Sequence, residues 1–228
     1  MEDRITTGLY LELGDLDPDH YAARRAPELL ARSGVDRVTW WENNVPGRTE
    51  LPMAIDDGTL LGVAEVDGSF VAPAPLPRTT ARHFRRFSRP SQGILTGTPT
   101  TGLLVVWISP RSPEHDRALR DWGDFVHIRH IAAASIPGFT HVTPYENTAA
   151  TDPRYMHLYE LDSEDPEASY MGMARHMAKY FAGSRTEAFE TWADWNAAGG
   201  QVIYCNTFRL LGEVPKSAHT SGGPGPER

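Results

Sequence analysis

Apolar and polar positions along this chain alternate in short runs, and the runs return in the same order in its second half. TGLYLEL (residues 7–13), VDRVTWWEN (35–43) and LLGVAEVD (60–67) carry the period-two or continuous apolar character of strands. Between the first two, Asp17-Pro18-Asp19-His20 marks a helix start: an acidic cap, a proline at the first helical position, and an acid near the positive end of the dipole. That helix is expected to run to about Ser33 and to stop at Gly34. The proline-rich stretch 68–80 excludes a helix, and RHFRRFS (82–88) reads as a short strand or a basic loop.

From Thr101 the pattern starts over. TGLLVVWIS (101–109) matches the first strand, and Ser112-Pro113-Glu114-His115 repeats the helix start. PGFTHVTPYEN (137–147) matches SGVDRVTWWEN, with Glu146-Asn147 answering Glu42-Asn43. RYMHLYELD (154–162) matches the third strand, Asp165-Pro166-Glu167 caps a helix that breaks near Gly183-Ser184 and resumes to about Asn196, and QVIYCNTFRLL (201–211) closes the half. Each half therefore reads strand, helix, strand, strand, helix, strand, with the second helix missing from the first. This order is the ferredoxin-like βαββαβ motif, in which helices cover one face of an antiparallel sheet. The other face needs a cover. The expected fold is α+β: two such repeats, residues 1–100 and 101–212, each with a four-stranded sheet, the sheets facing each other as a barrel within one chain. Residues 213–228 read as a disordered tail.

Composition narrows the function. A chain of 228 residues, 40% apolar, is long enough to bury a real core. Its net charge of −8 argues against a nucleic-acid partner. The single Cys205 excludes an intramolecular disulfide and a cysteine-based zinc site, and its apolar setting reads as core. No leader and no apolar run of membrane-spanning length is apparent, so a cytoplasmic location is expected, with no membrane partner.

The densest chemistry lies in DWGDFVHIRHIAAASIPGFTHVTPYEN (121–147). Asp124, His127 and His130 fall at i, i+3 and i+6 of a helix, where a carboxylate one turn from an imidazole can fix its tautomer. The bland alternative is a solvated helix face. Trp122, Asp124, His127, Pro137, Gly138, Phe139 and Tyr145 resemble the W-x-D-x-x-H … P-G-F … Y segment of the dimeric α+β barrel superfamily, particularly bacterial members similar to EthD-type and polyketide-cyclase-type proteins. The resemblance implies a small-molecule site between sheet and helices with a histidine near its mouth, but no single reaction. Eleven residues before Gly138 stands His127, whereas eleven before Gly34 stands Ala23. One working site, in the second half, is expected.

Strand parity extends the candidate list. Trp107, His141, Tyr145, Tyr155, His157, Tyr159, Tyr204 and Asn206 are read as one face of the second-half strands, serving as a pocket lining or, alternatively, as an inter-sheet core. Trp122 joins them as a substrate-binding candidate, while Trp192 and Trp195 read as a core stripe. Glu42 and Glu146 read as solvated strand ends. No metal-binding motif stands out. The expected function is a cofactor-independent enzyme, of lyase, isomerase or cyclase type, acting on a modest aromatic or polyketide-like molecule. His127 would be its acid/base and Asp124 the group orienting it. Two alternatives stay open: a haem enzyme with a histidine ligand, and a non-catalytic small-molecule binder. The chain is expected to be a monomer, or a homodimer through surfaces outside the barrel.

Overall fold

In the computed structural model, which describes residues 7–51, 53–86, 91–94, 96–182, 187–195 and 198–216, the alternating runs form strands almost where the pattern places them. The first half supplies β1 (Gly8–Gly14), β2 (Val35–Asn43), β3 (Leu60–Val66) and β4 (Thr79–Arg86). A two-residue β5 (Gln92–Gly93) follows, and the second half supplies β6 (Gly102–Pro110), β7 (Phe139–Asn147), β8 (Tyr155–Leu161) and β9 (Gly200–Pro215). Their spatial order is β4-β1-β3-β2-β9-β6-β8-β7-β5, every pairing is antiparallel, and β4 also pairs with β7.

Eight strands thus close into one barrel. Two separate facing sheets were expected, and the difference has a plain cause. A four-stranded sheet has two bare edges whose N–H and C=O groups need partners. Here the edges meet, β2 against β9 from Arg37↔Pro215 to Asn43↔Phe208, and β4 against β7 from Phe84↔Asn147 to Arg86↔Tyr145. The first seam also explains why β9 runs to Pro215, past the expected end at Leu211, since Glu213 pairs with Thr39 and forms an ion pair with Arg37. Residues 217–228 of the expected tail, and the expected helix break at Gly183-Ser184, lie outside the described residues.

Helices cover the outside. Against the first half lie α1 (Pro18–His20), a π-helical turn (Tyr21–Arg25) and α2 (Ala26–Leu30). Against the second lie a 3-10 turn (Pro113–His115), α3 (Asp116–Trp122), a second π-helical turn (Gly123–His127) and α4 (Ile128–Ala133), then α5 (Pro166–Tyr180) and α6 (Glu187–Ala193). Asp17 caps the first helix by accepting from the His20 amide at 2.7 Å, and Asp165 caps α5 by accepting from Ala168 at 2.9 Å. Ser112 does not cap. Its hydroxyl lies 2.7 Å from His115 Nδ1, and the chain enters by a 3-10 turn instead. The helices end before the expected glycines, at Leu30 and Ala133, and Gly34 and Gly138 instead make the turns into β2 and β7 at φ +75° and +84°, conformations that only glycine takes cheaply.

Three apolar layers result. The barrel interior holds Leu9, Leu11, Leu13, Trp41, Phe84, Val105, Trp107, Tyr145, Met156, Leu158, Tyr204 and Phe208 among others. Tyr10, Tyr21, Leu29 and Phe70 pack under the first helix. Leu104, Val106, Ile108, Tyr155, Tyr159 and Cys205 pack under the second set. The face proposed from parity is therefore split: Trp107, Tyr145 and Tyr204 point into the barrel, while Tyr155 and Tyr159 face the helices. Antiparallel register decides this, because Val106 stands opposite His157 and Leu104 opposite Tyr159. Glu146, expected to be solvated, is buried and takes ion pairs from Arg85 and Arg154.

Candidate functional site between the second π-turn and the sheet

A π-turn widens the helix by one residue, and such turns gather at functional sites. In Gly123–His127 it carries Asp124 and His127 inward, both buried. The His127 imidazole is enclosed by indoles. It stacks on Trp192 at 5.1 Å and 5°, with Trp122 and Trp195 each 4.7 Å away. His127 Nδ1 donates to the Trp192 carbonyl at 3.1 Å, and Trp192 Nε1 returns a bond to the His127 carbonyl at 3.1 Å. Asp124 is thus not the group that orients His127, as the helical spacing suggested. The widened turn gives that task to α6, and Asp124 faces elsewhere.

Asp124 faces a crevice, about 250 Å³ counting space open to solvent, between α3, the π-turn and strands β6, β7 and β8. His157, Tyr145, Tyr155 and Arg120 line it too, over an apolar base that includes Ile108 and Leu119. His157 is 3% exposed, yet among the described residues its ring makes no hydrogen bond, and Nδ1 is both buried and without a partner. Its ring lies 6.5 Å from that of His127, nearly parallel at 21°. The room comes from Gly123, where a Cβ would stand 3.1 Å from His157 Cε1. At the third position of β3, as His157 is at the third of β8, stands Gly62, and Tyr21 fills the space above it: a Cβ there would meet the Tyr21 hydroxyl at 1.8 Å. At the rim, Tyr155 donates to Asp116, and the guanidiniums of Arg120 and Arg154 lie over its ring at 5.7 and 5.3 Å.

The other sequence candidates separate. Tyr204 donates to Asp57 at 2.6 Å, and Asn206 is held by Arg48, Asp57 and the Val45 carbonyl, so both anchor the 44–58 loop. Trp107 is sealed in the barrel between Phe84 and Tyr204. His141 and Tyr159 line a second pocket, described below. Trp122, a substrate-binding candidate from sequence, packs its ring against His127. Trp192 and Trp195 belong to the core under the helices, as their spacing suggested, and their packing around His127 is what the sequence reading missed. Their only sequence signal is the i, i+3 tryptophan pair itself.

Burial sets the electrostatics. Desolvation lowers the His127 pKa to about 4 against the small opposing effect of the Trp192 carbonyl, and desolvation, then His127 beside it, lowers His157 to about 3. Both imidazoles are neutral at pH 7. In the unfolded chain they titrate near 6.5, so there the unfolded state binds more protons and stability falls as pH drops from about 6.5 toward 4. Urea unfolding between pH 8 and 5 should show the midpoint steady above pH 7 and falling below 6.5. In His157→Phe the fall should be shallower, and an unchanged slope would show that this ring is not held neutral.

His127 donates its Nδ1–H to a carbonyl, as a ligating histidine also does, while its ring stacks on the Trp192 indole. Among the described residues no three His, Cys, Asp or Glu side chains are grouped to hold a metal. Nor is any helix among them long and apolar enough to cross a membrane.

No family model matches the chain, and no curated protein matches it. Solved structures do. An anthrone oxidase-like protein superposes with a TM-score of 0.54 at 13% identity, over 97% of this chain and 98% of the other. A regulator of staphylococcal pathogenesis gives 0.53 at 10% over 90% and 99%. A candidate monooxygenase from Fusobacterium nucleatum gives 0.52 at 9% over 93% and 96%. At these identities the likeness is one of fold, and the chain has the antiparallel α+β barrel fold of the dimeric α+β barrel proteins.

Proposed function

We propose that the chain is an enzyme for a small enolisable aromatic molecule, acting by proton transfer in the crevice beside His157. The observation that carries this reading is a buried imidazole with no protein partner, facing the same crevice as a carboxylate. An unpaired buried polar group costs about 1–3 kcal/mol, and a substrate oxygen would satisfy it. Asp124 takes a proton from carbon next to a carbonyl, the C–H electron pair moves to the carbonyl oxygen, and the neutral His157 N–H donates to the enolate that forms. A depressed pKa suits this role, since the imidazole donates a hydrogen bond without giving up or gaining charge. His127 becomes a positioning residue: it ties α6 to the π-turn and backs the His157 ring. Reprotonation at another atom gives an isomerase or cyclase outcome. Two structural neighbours, an anthrone oxidase-like protein and a candidate monooxygenase, suggest a second outcome, oxidation of the enolate by added dioxygen.

The two halves share one strand order, fourth-first-third-second, which supports reading them as tandem ferredoxin-like repeats with a single working site. Closure within one chain supports a monomer, or a dimer through other surfaces.

A panel of anthrone-type ketones in D2O, followed by proton NMR with an oxygen electrode, tests the reaction. Enzyme-dependent deuterium uptake at the acidic carbon is expected, falling about 10²–10⁴-fold in Asp124→Asn. Oxygen uptake in parallel would select the oxidative outcome. No exchange with any member would remove the proposal.

A further inference from the structure

A second pocket, about 300 Å³ counting space open to solvent, lies under α4 at the far end of the same helix-covered sheet face. Its walls are Ile131 and Ala132 of α4, Ile136, Phe139 and Val142 at the start of β7, and Ile94 beside β5. The Tyr159 ring forms one side, set edge-on to Phe139 at 5.8 Å and 76°. Gln92, Ser135, Thr140 and His141 add polar groups to this lining. His141 Nδ1 is buried and has no hydrogen-bond partner. The strap that bounds the pocket is held close: the Ile94 amide donates to the Thr140 carbonyl at 2.8 Å, and a Cβ on Gly93 would stand 2.2 Å from that oxygen.

The geometry points to a second binding site here, for a flat aromatic alcohol. Two rings at right angles and three isoleucines offer apolar contact to both faces of a planar molecule. Of the polar groups around it, the His141 Nδ1 is the one left buried without a partner, and a hydroxyl of the ligand completes it. A pocket meant only to pack the core would be served better by an apolar residue at 141, because the unmet nitrogen is a standing cost. The site does not depend on the reaction proposed beside His157. Tyr159 and His157 share a face of β8, two residues apart, so ligand here also lies near enough to influence that crevice.

Isoleucine-methyl NMR of the whole chain, titrated with 2-naphthol, separates the two places. Ile94, Ile131 and Ile136 report this pocket, and Ile108 reports the crevice beside His157. Saturable shifts at the first three are expected. His141→Phe, which keeps a planar ring but removes the nitrogen, should weaken binding about fivefold. Ala132→Leu, which fills the space, should weaken it at least tenfold, each variant first showing a native-like methyl spectrum. Shifts at Ile108 alone would overturn this site and leave the other standing. Absence of any saturable shift at Ile94, Ile131 and Ile136, or equal affinity in both variants, would overturn it as well.

Discussion

His157→Phe is expected to lower kcat about 10²–10³-fold with little change in KM, and to leave the protein as stable as before or more so. The loss follows from removing a preformed donor to the oxygen on which charge develops, an interaction that grows only as the transition state is reached. The stability follows from the same geometry. Phenylalanine keeps the ring against His127 while deleting a buried nitrogen that has no partner. The two readouts together separate chemistry from folding. Gly123→Ala is the companion change: its Cβ, 3.1 Å from His157 Cε1 and 3.3 Å from Nε2, presses on the ring while leaving the imidazole in place, and about a tenfold loss is expected. Full turnover in His157→Phe, measured by the deuterium assay, would end the assignment of this residue.

The largest effect on stability should come from the other half. Glu12 is fully buried, and its carboxylate accepts from Arg25 Nε at 3.0 Å, from Arg25 Nη2, from the Tyr10 hydroxyl at 3.1 Å and from the Tyr21 hydroxyl at 3.4 Å. Arg25 is itself 5% exposed and keeps only the half-exposed Glu28 as a second carboxylate partner. Breaking such a pair leaves a buried guanidinium uncompensated, at a cost of about 3–5 kcal/mol. Set against a total of about 5–15 kcal/mol for a domain, that is a large fraction. Glu12→Ala should therefore lower Tm by roughly 10 °C. Replacing both partners, Glu12→Leu with Arg25→Met, should recover most of the loss, since the pair stabilises little relative to apolar residues of the same shape. A drop of under about 1 kcal/mol for Glu12→Ala by urea unfolding would show that the network is not what holds this helix.

Strands and helix starts were legible because they are local. Alternation, the Asp-Pro caps at Asp17 and Asp165, and the turn at Pro137-Gly138 act within a few residues of themselves. The proline-rich segment between β3 and β4 carries no helix, as its composition requires. Which faces of different strands coincide was not legible, because register and bulges decide it. The shifts between Trp107 and Ile108 and between Phe139 and His141 move whole strands relative to one another. Nothing in the sequence signals the π-turn, and one extra residue in a turn was enough to part Asp124 from His127. The cage around His127 was hidden for another reason: Trp192 and Trp195 lie about 65 residues away, and only tertiary packing brings them there.

Because the barrel closes within one polypeptide, a substitution enters the assembly once rather than twice. Two identical chains would have to carry the same residue at both corresponding places. This chain carries Gly62 under Tyr21 at one and His157 under Gly123 at the other, so one place is filled and the other is left open. One polypeptide can thus devote one half to rigidity and the other to chemistry, with closure independent of protein concentration.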